Sequence, residues 1–341
     1  MQSMSLEAIK LRFSTPVHLG RGLEDLDRSE TVYHSDSLKS AIFAVGLAQF
    51  PHWAEDNANA FFNGFRISSC FPFSGDELFL PKPFLNIRFE FSEVANDRQA
   101  KTGKKVSFLS LKQFEKLISV GEGAEPIKIS KDVITPDGQF ICENETTAKR
   151  SFFKTEVQQR VSVFLEGNDE QTRPFYMDRL YFEKDCGLYF LVDFRGNTEL
   201  RNQVLQTLKL LGDFGIGTDR TVGNGLFDFD QNRDVQPVEI KTIGKHQKQL
   251  SLGLYLPEVK EFEKIKLEGS HWSLLKRGGY MGGTSNDEFL SLRKKSLYFF
   301  GEGSVFESET PLKGKKEDIK PNWNLPMHPV WRDGQCLFIT I

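Results

Sequence analysis

Hydrophobic and polar positions alternate over residues 6–14, LEAIKLRFS. Ile9, Leu11 and Phe13 lie on one side and Lys10, Arg12 and Ser14 on the other, which predicts a half-buried strand. From Ser35 the period changes. In SDSLKSAIFAVGLAQF, Leu38, Ala41, Ile42 and Val45 recur at helical spacing, with Ser35 or Asp36 placed to cap the first turn. Strands follow near 65–71 and 78–82, then a polar loop at 93–105 and a short helix at 110–118. From about 120 to 175 the chain is mostly polar and reads as a projecting insertion, a long hairpin of QFICE (139–143) and EVQQRVSVF (156–164). MDRLYFE (177–183) and GLYFLVDF (187–194), joined at KDCG, predict another hairpin. Asn197 or Thr198 caps a helix with Leu200, Val204, Leu208 and Leu211 on one stripe, and a glycine-rich loop leads to a strand at 225–230.

The polar run 231–247 reads as a linker, after which the pattern restarts. A strand at 251–256, a short helix at 257–265 entered by a proline, and strands at 271–277 and 296–307 precede a final hairpin turning at Asp333-Gly334. Each half runs approximately β-α-β-β-(α)-β, the second helix of the C-terminal half being weak. The expected fold class is α+β: two ferredoxin-like, RRM-type domains in tandem, residues 1–235 and 248–341, with a β-hairpin insertion within about 93–175 of the first.

Composition narrows the function classes. Of 341 residues, 39% are hydrophobic and 27% charged, which excludes a disordered or fibrous chain. Lys+Arg 44 against Asp+Glu 47 gives a net charge of −3, which excludes a small basic nucleic-acid-coating protein; any nucleic acid would be held by local basic clusters. The 31 Phe against 7 Tyr belong mostly in cores. Cys70, Cys142, Cys186 and Cys336 are too widely spaced for a zinc knuckle or redox pair and read as buried thiols of a reducing compartment. No apolar run of signal-peptide or membrane-spanning length occurs, so a cytoplasmic protein without membrane contact is expected. The six histidines never fall at i, i+4, and neither metal nor cofactor is expected.

The most informative segment is Gly212–Phe227, GDFGIGTDRTVGNGLF. A dinucleotide fingerprint from Gly215 would need glycine where Arg220 stands, and a Walker loop from Gly212 would need lysine at Thr218. Both motifs also run strand, loop, helix, whereas here the helix comes first. Five glycines, at 212, 215, 217, 223 and 225, allow positive φ and close approach of an anion, while Arg220 and Thr221 add a cation and a hydroxyl. That suits a bent single-stranded phosphate backbone. It equally suits a long helix-to-strand turn with a solvated arginine.

Gly-Ile-Gly-Thr-x-Arg-Thr-x-Gly-x-Gly-x-Phe after a helix looks like the glycine loop of RAMP-superfamily CRISPR proteins. More specifically, the chain resembles the Csm subunit four family of type III-A interference complexes, a relative of the Cas five group. PVHLG (16–20), HSDSLKSAI (34–42), ISSCFPFSGDELFLPKP (67–83), KKVSFLSLKQFEKL (104–117), KRGG (276–279), GEGSVFE (301–307) and HPVWRDG (328–334) match that family's blocks in order, over nearly the whole chain. Thr218 and Asp219 depart from the pattern, standing where relatives often have Gly and Lys.

The resemblance implies RAMP domains and a non-catalytic subunit that binds the 5′ repeat-derived handle of crRNA. It would cap the filament of the backbone RAMP subunit (Csm subunit three) and dock the large polymerase/cyclase subunit. The RNA-binding residues expected are Gly215, Gly217, Thr218, Arg220, Thr221, Gly223 and Gly225 in the loop, and Lys154, Arg160 and Ser162 in the insertion. His18, His34, Ser35, Lys39, Lys276 and Arg277 complete the set. Gln158–Val163 inherits a wedge role. The alternatives are a RAMP-type crRNA-processing endoribonuclease with His34 or His18 as general base, and a protein adaptor without RNA contact. Ser35 and Asp36 also read as helix caps, the basic cluster Arg293-Lys294-Lys295 as an RNA contact, a protein contact or a solvated face, and Lys313–Lys316 as a solvated loop.

Overall fold

The first strand, β1 (Gln2–Phe13), is buried on both faces rather than one. Leu6 and Ala8 enter one core, and Ile9 and Leu11 enter another. Lys10 is buried as well: its Nζ donates to Gly75 O at 3.0 Å and lies 5.1 Å from the Phe73 ring centroid. The alternation is real, but β1 sits between other strands instead of lining a solvated face. The computed structural model describes residues 2–20, 26–54, 58–120, 123, 125–162, 173–242, 248–281, 292–322 and 328–341.

After β1 come α1 (Ser35–Gln49), α2 (Ala58–Gly64), β2 (Arg66–Ile67), β3 (Phe71–Ser74), β4 (Glu77–Pro81) and β5 (Phe89–Phe91). Next are α3 (Asn96–Lys105), β6 (Phe108–Ser110), α4 (Leu111–Val120), β7 (Ile127–Ile129), β8 (Phe140–Ile141), α5 (Glu145–Ala148), β9 (Phe153–Ser162) and β10 (Arg173–Phe182). β11 (Cys186–Asp193), α6 (Thr198–Phe214), β12 (Phe227–Asp228), α7 (Gln231–Asp234) and β13 (Val235–Thr242) follow. Then come β14 (Lys248–Ser251), α8 (Val259–Phe262), β15 (Ile265–His271), β16 (Leu274–Arg277) and β17 (Leu297–Phe300). β18 (Val305–Ser308), β19 (Lys316–Asp318), β20 (Trp331–Asp333) and β21 (Phe338–Thr340) end the chain.

The large sheet has the order β12-β1-β11-β3-β4-β6-β8, with β13 also on β1 and β2 on β11. On one face α1, α2 and α6 cover it. Leu38 and Ile42 of α1 and Val204, Leu208 and Leu211 of α6 pack in one cluster with Ile9, Leu11, Leu188 and Phe190 of the sheet. Asn197 caps α6 as expected, accepting from Leu200 N–H at 3.0 Å. Phe71, Phe73, Tyr189 and Leu191 belong to the other cluster, with Phe114 and Leu117 of α4 and with Leu250, Val305 and Ile339 of the C-terminal sheet. That sheet runs β15-β18-β14-β21, antiparallel throughout. The two sheets therefore share a core.

Several expectations are corrected. The polar stretch 93–105 contains α3, not a loop. It lacks an apolar stripe but has Asp97 in its first turn and Lys104 and Lys105 in its last. The Gln99 carboxamide ties it to both backbone groups of Phe91. Phe140 and Ile141 join the large sheet beside β6, and β9 pairs instead with β10 over ten residues. β10 and β11, expected to form a hairpin, join different sheets across a turn with Asp185 at φ 62°.

Residues 231–242, expected in a linker, form α7 and β13. β13 pairs with β1 from Gln2 to Ile9, burying Val238, Ile240 and Thr242 alternately; residues 243–247 lie outside the described residues. The helix at 257–265 shrinks to the single turn of α8. β20 pairs with β19 and β21 with β14, so Asp333-Gly334 does not close a hairpin. Alternation identified these strands, but partner choice depends on the surfaces they meet.

The start of α1 is the joint between the two halves. Neither Ser35 nor Asp36 caps it; His34 occupies that position and makes no side-chain capping bond. The Ser35 hydroxyl accepts from Leu254 N–H at 3.0 Å. Asp36, fully buried, accepts from Arg277 Nε and Nη2 at 3.1 Å and from Arg332 Nη1 at 2.5 Å. One turn on, Lys39 Nζ lies 2.7 Å from Asp333 and donates to the carbonyls of Phe62 and Phe65. Burial, opposed by Asp333, brings the Lys39 ammonium down to about 8. Burial alone would raise the Asp36 carboxyl, but Arg277 and Arg332 outweigh it and hold the group below the usual carboxylate range.

Asp36→Ala leaves two guanidiniums buried without their anion. It is expected to lower stability by about 3–5 kcal/mol, read from urea denaturation at neutral pH. The native contribution is present above the unfolded carboxyl value of about pH 4 and is lost as pH falls toward the depressed folded value. Asp36→Asn is expected to lack that acid-side component.

Candidate nucleic-acid interface

The glycine loop is built by contact as much as by flexibility. Gly215 ends α6 with its N–H on Leu211 O, and Thr218 N–H donates to His18 O at 2.9 Å. Gly225 N–H donates to Pro16 O at 2.8 Å, so both limbs of the loop lie on the segment after β1. Gly217 has φ 87°, and a Cβ there would be 2.5 Å from His18 O. Gly225 has φ 74°, and its Cβ would be 1.9 Å from Ile216 O. Left-handed backbone and absence of space both demand glycine. Gly212 differs: it lies within α6, where a Cβ would meet Phe227 O at 2.3 Å.

Between these anchors the crest is exposed. Arg220, Thr221 and Val222 form a 3₁₀ turn open to solvent, followed by Gly223 in left-handed conformation. Asp219 precedes the turn at φ 68°. It does not cap its own turn. Its Oδ2 accepts from Arg160, from Arg179 Nη2 at 3.0 Å and from Asn224 Nδ2 at 3.0 Å. Arg160 and Arg179 lie on one face of the β9–β10 ladder, where Arg179 also donates to Gln158 Oε1 at 3.0 Å. Val157, Val161 and Tyr176 are exposed on its opposite face.

A polar pocket of about 190 Å³ adjoins the loop, lined by Tyr33, His34, Ser37, Gly217, Thr218 and Arg277 among others. His34 Nδ1 lies 2.7 Å from Glu302 Oε1, which also accepts the Ser69 hydroxyl. Burial would raise the Glu302 carboxyl, but His34 and Ser69 hold it down. His18 is buried behind the loop, with Nδ1 2.6 Å from Asp178 O and, among the described residues, no partner on Nε2.

Gly215, Gly217, Thr218, Arg220, Thr221, Gly223, Gly225, His18, His34 and Arg160 are thus brought together around the loop. Ser35, Lys39 and Arg277 are committed to the buried joint, although Arg277 also borders the pocket. Lys154 is paired with Glu183 at 2.9 Å, six residues and roughly 20 Å of strand from Arg160. Ser162 pairs through its backbone with Arg173, and Val163, the end of the expected wedge, lies outside the described residues. Lys276 is exposed on β16. Sequence reading missed Arg179, Asn224, Tyr33 and Glu302. Arg179 shares the alternation that marks its strand, but only the partner strand places it beside Arg160.

All four cysteines are free and buried, and burial pushes the Cys70, Cys142 and Cys336 thiols up, leaving them poor nucleophiles. Among the described residues, no helix is long and apolar enough to cross a membrane.

Residues 244–341 match the family model of the CRISPR Csm4 C-terminal domain. The CRISPR system Cms protein Csm4 of Thermococcus onnurineus is 25% identical over 292 residues, covering 84% of this chain and 83% of that protein. Among solved structures, a Csm3–Csm4 subcomplex of the type III-A CRISPR-Cas interference complex aligns with a TM-score of 0.64 at 17% identity, covering 98% of both chains. A Csm1–Csm4 cassette in complex with cA4 aligns at 0.57 and 20% identity, over 98% of this chain and 97% of that one.

Gly225→Ala and Gly223→Ala both place a side chain on left-handed backbone, at a cost of about 1–3 kcal/mol each. Only Gly225 would also drive its Cβ into Ile216, whereas nothing lies within 4 Å of a Cβ at Gly223. Thermal denaturation is expected to show the larger loss for Gly225→Ala. Residues 244–341 are thus similar to the Csm4 C-terminal domain, and the chain over most of its length is similar to Csm4 proteins.

Proposed function

We propose that the chain is the Csm4 subunit of a type III-A CRISPR Csm complex, a non-catalytic subunit that holds the 5′ repeat-derived handle of crRNA. The observation that carries this reading is the exposed crest Arg220-Thr221, held up by glycines against His18 and bordered by the arginine-bearing face of β9–β10. A guanidinium and a hydroxyl on a loop with left-handed turns suit a bent single-stranded phosphate backbone. The outer face with Val157, Val161 and Tyr176 supplies apolar side chains for a wedge between bases. Ser35, Lys39 and Arg277 are left out of the contact surface because the joint uses them.

The strand orders support tandem ferredoxin-like domains. Counting only β1, β3, β11 and β12/β13, the large sheet runs fourth, first, third, second, with the segment from β4 to β10 inserted between second and third. The C-terminal sheet runs second, third, first, fourth. The expected protein partners are the large polymerase/cyclase subunit and the backbone subunit Csm3. The similar structures described as Csm1–Csm4 and Csm3–Csm4 assemblies support them, as does exposed apolar surface at Phe262, Trp272, Leu274 and Tyr298.

One observation favours an endoribonuclease: a histidine–carboxylate pair, His34–Glu302, on the pocket wall. Incubating the purified chain with repeat RNA in chelator is expected to give no specific cleavage. Cleavage lost in His34→Ala would establish the enzyme instead. Arg220→Ala is expected to weaken handle binding by about 1–3 kcal/mol at matched salt, measured by filter binding. Unchanged affinity removes the crest from the interface.

A further inference from the structure

The arginines nearest the crest are already occupied. Three donors converge on a single oxygen of Asp219: Arg160 from β9, Arg179 from β10 and the Asn224 carboxamide across the loop. Arg179 Nε, buried, has no hydrogen-bond partner among the described residues, so this donor cluster is short of acceptors. Two guanidiniums and an amide around one anionic oxygen are what a phosphodiester oxygen requires. Asp219 reaches them because left-handed backbone at φ 68° turns its carboxylate away from the turn that follows.

We propose that Arg160, Arg179 and Asn224 form a phosphate seat that Asp219 fills in the free chain, so that Asp219 competes with the RNA backbone and sets its affinity. This rests on the RNA-holding reading above. Arg160, with 30% of its side chain exposed against 12% for Arg179, is the donor handed from carboxylate to phosphate. Arg179 and Asn224 follow it onto the same phosphate oxygen as the carboxylate is displaced. Lysine at this position would add a phosphate contact of its own; aspartate instead makes binding conditional on a strand that can displace it.

The test uses the full chain and a fluorescein-labelled eight-nucleotide oligouridylate, with Kd measured across a salt series. Asp219→Asn keeps the shape and removes the charge; Asp219→Gly suits the left-handed backbone and guards against a loop strained by the first variant. Both are expected to bind about tenfold tighter, the worth of one charge-assisted contact. The slope of log K against log salt is expected to steepen by about 0.7, one further phosphate on a single strand. Adding Arg160→Ala is expected to cancel the gain. Equal or weaker binding by both variants, with Arg220→Ala still weakening the wild type, overturns this proposal and leaves the RNA-holding reading standing. Absence of binding by wild type and variants alike overturns both. Uridine monophosphate serves as the control ligand, and tightening as large for it as for the oligomer assigns the seat to a lone phosphate and overturns the strand assignment.

Discussion

The rest of the molecule depends on one buried carboxylate held by two guanidiniums. Asp36 stands in the first turn of α1, and Arg277 and Arg332 reach it from β16 and β20 of the C-terminal half. An ion pair this deep is not in itself a strong source of stability, because all three charges must leave water. Its consequence is orientation: the charges satisfy one another in one arrangement, and any slip between the halves strands a charge. Lys39–Asp333 and Ser35–Leu254 repeat the constraint along the same helix. The shared apolar core draws the sheets together without direction; the polar joint determines how they meet.

That orientation assembles the pocket beside the glycine loop. His34, immediately before α1, finds Glu302 from the turn between β17 and β18, and Arg277 forms pocket wall while holding Asp36. The loop is fastened from two further sides, by the segment after β1 and by the β9–β10 ladder through Asp219. Three remote parts of the chain therefore fix a crest whose own residues, Arg220 and Thr221, are exposed. The exposed crest is therefore preorganised, and any ligand it met would find it at a reduced ordering cost.

Much of the architecture was legible. The change from period two to helical period at Ser35 located α1, and the capped leucine stripe located α6, because both patterns follow from local geometry. The glycine-rich segment was recognisable as a special backbone. The misassigned pieces share a physical cause. β8, β10, β20 and β21 were found as strands but paired with the wrong neighbours, and β13 was hidden in a run whose polar residues outnumber its buried alternates. α3 escaped because its side chains bury almost nothing and it is tied to the fold by polar bonds, those of Gln99 and that of Lys82 to Gly103 O.

For the candidate site the division is sharper. The amino-acid sequence by itself determined which residues could tolerate left-handed backbone, which segments were rod or ribbon, and which family the ordered blocks resemble, since each is a property of neighbouring residues. Which charges meet was decided only by tertiary structure. Asp36 and Arg277 are 241 positions apart, and Asp219 and Arg179 are 40 apart. Ser35, Lys39 and Arg277 look in sequence like solvated polar groups awaiting a ligand, yet they are buried in the joint. Arg179 looks unremarkable and stands at the loop. A charged side chain carries no local mark of its partner; burial and pairing arise when distant elements pack, and that packing separates groups left for a ligand from groups already satisfied.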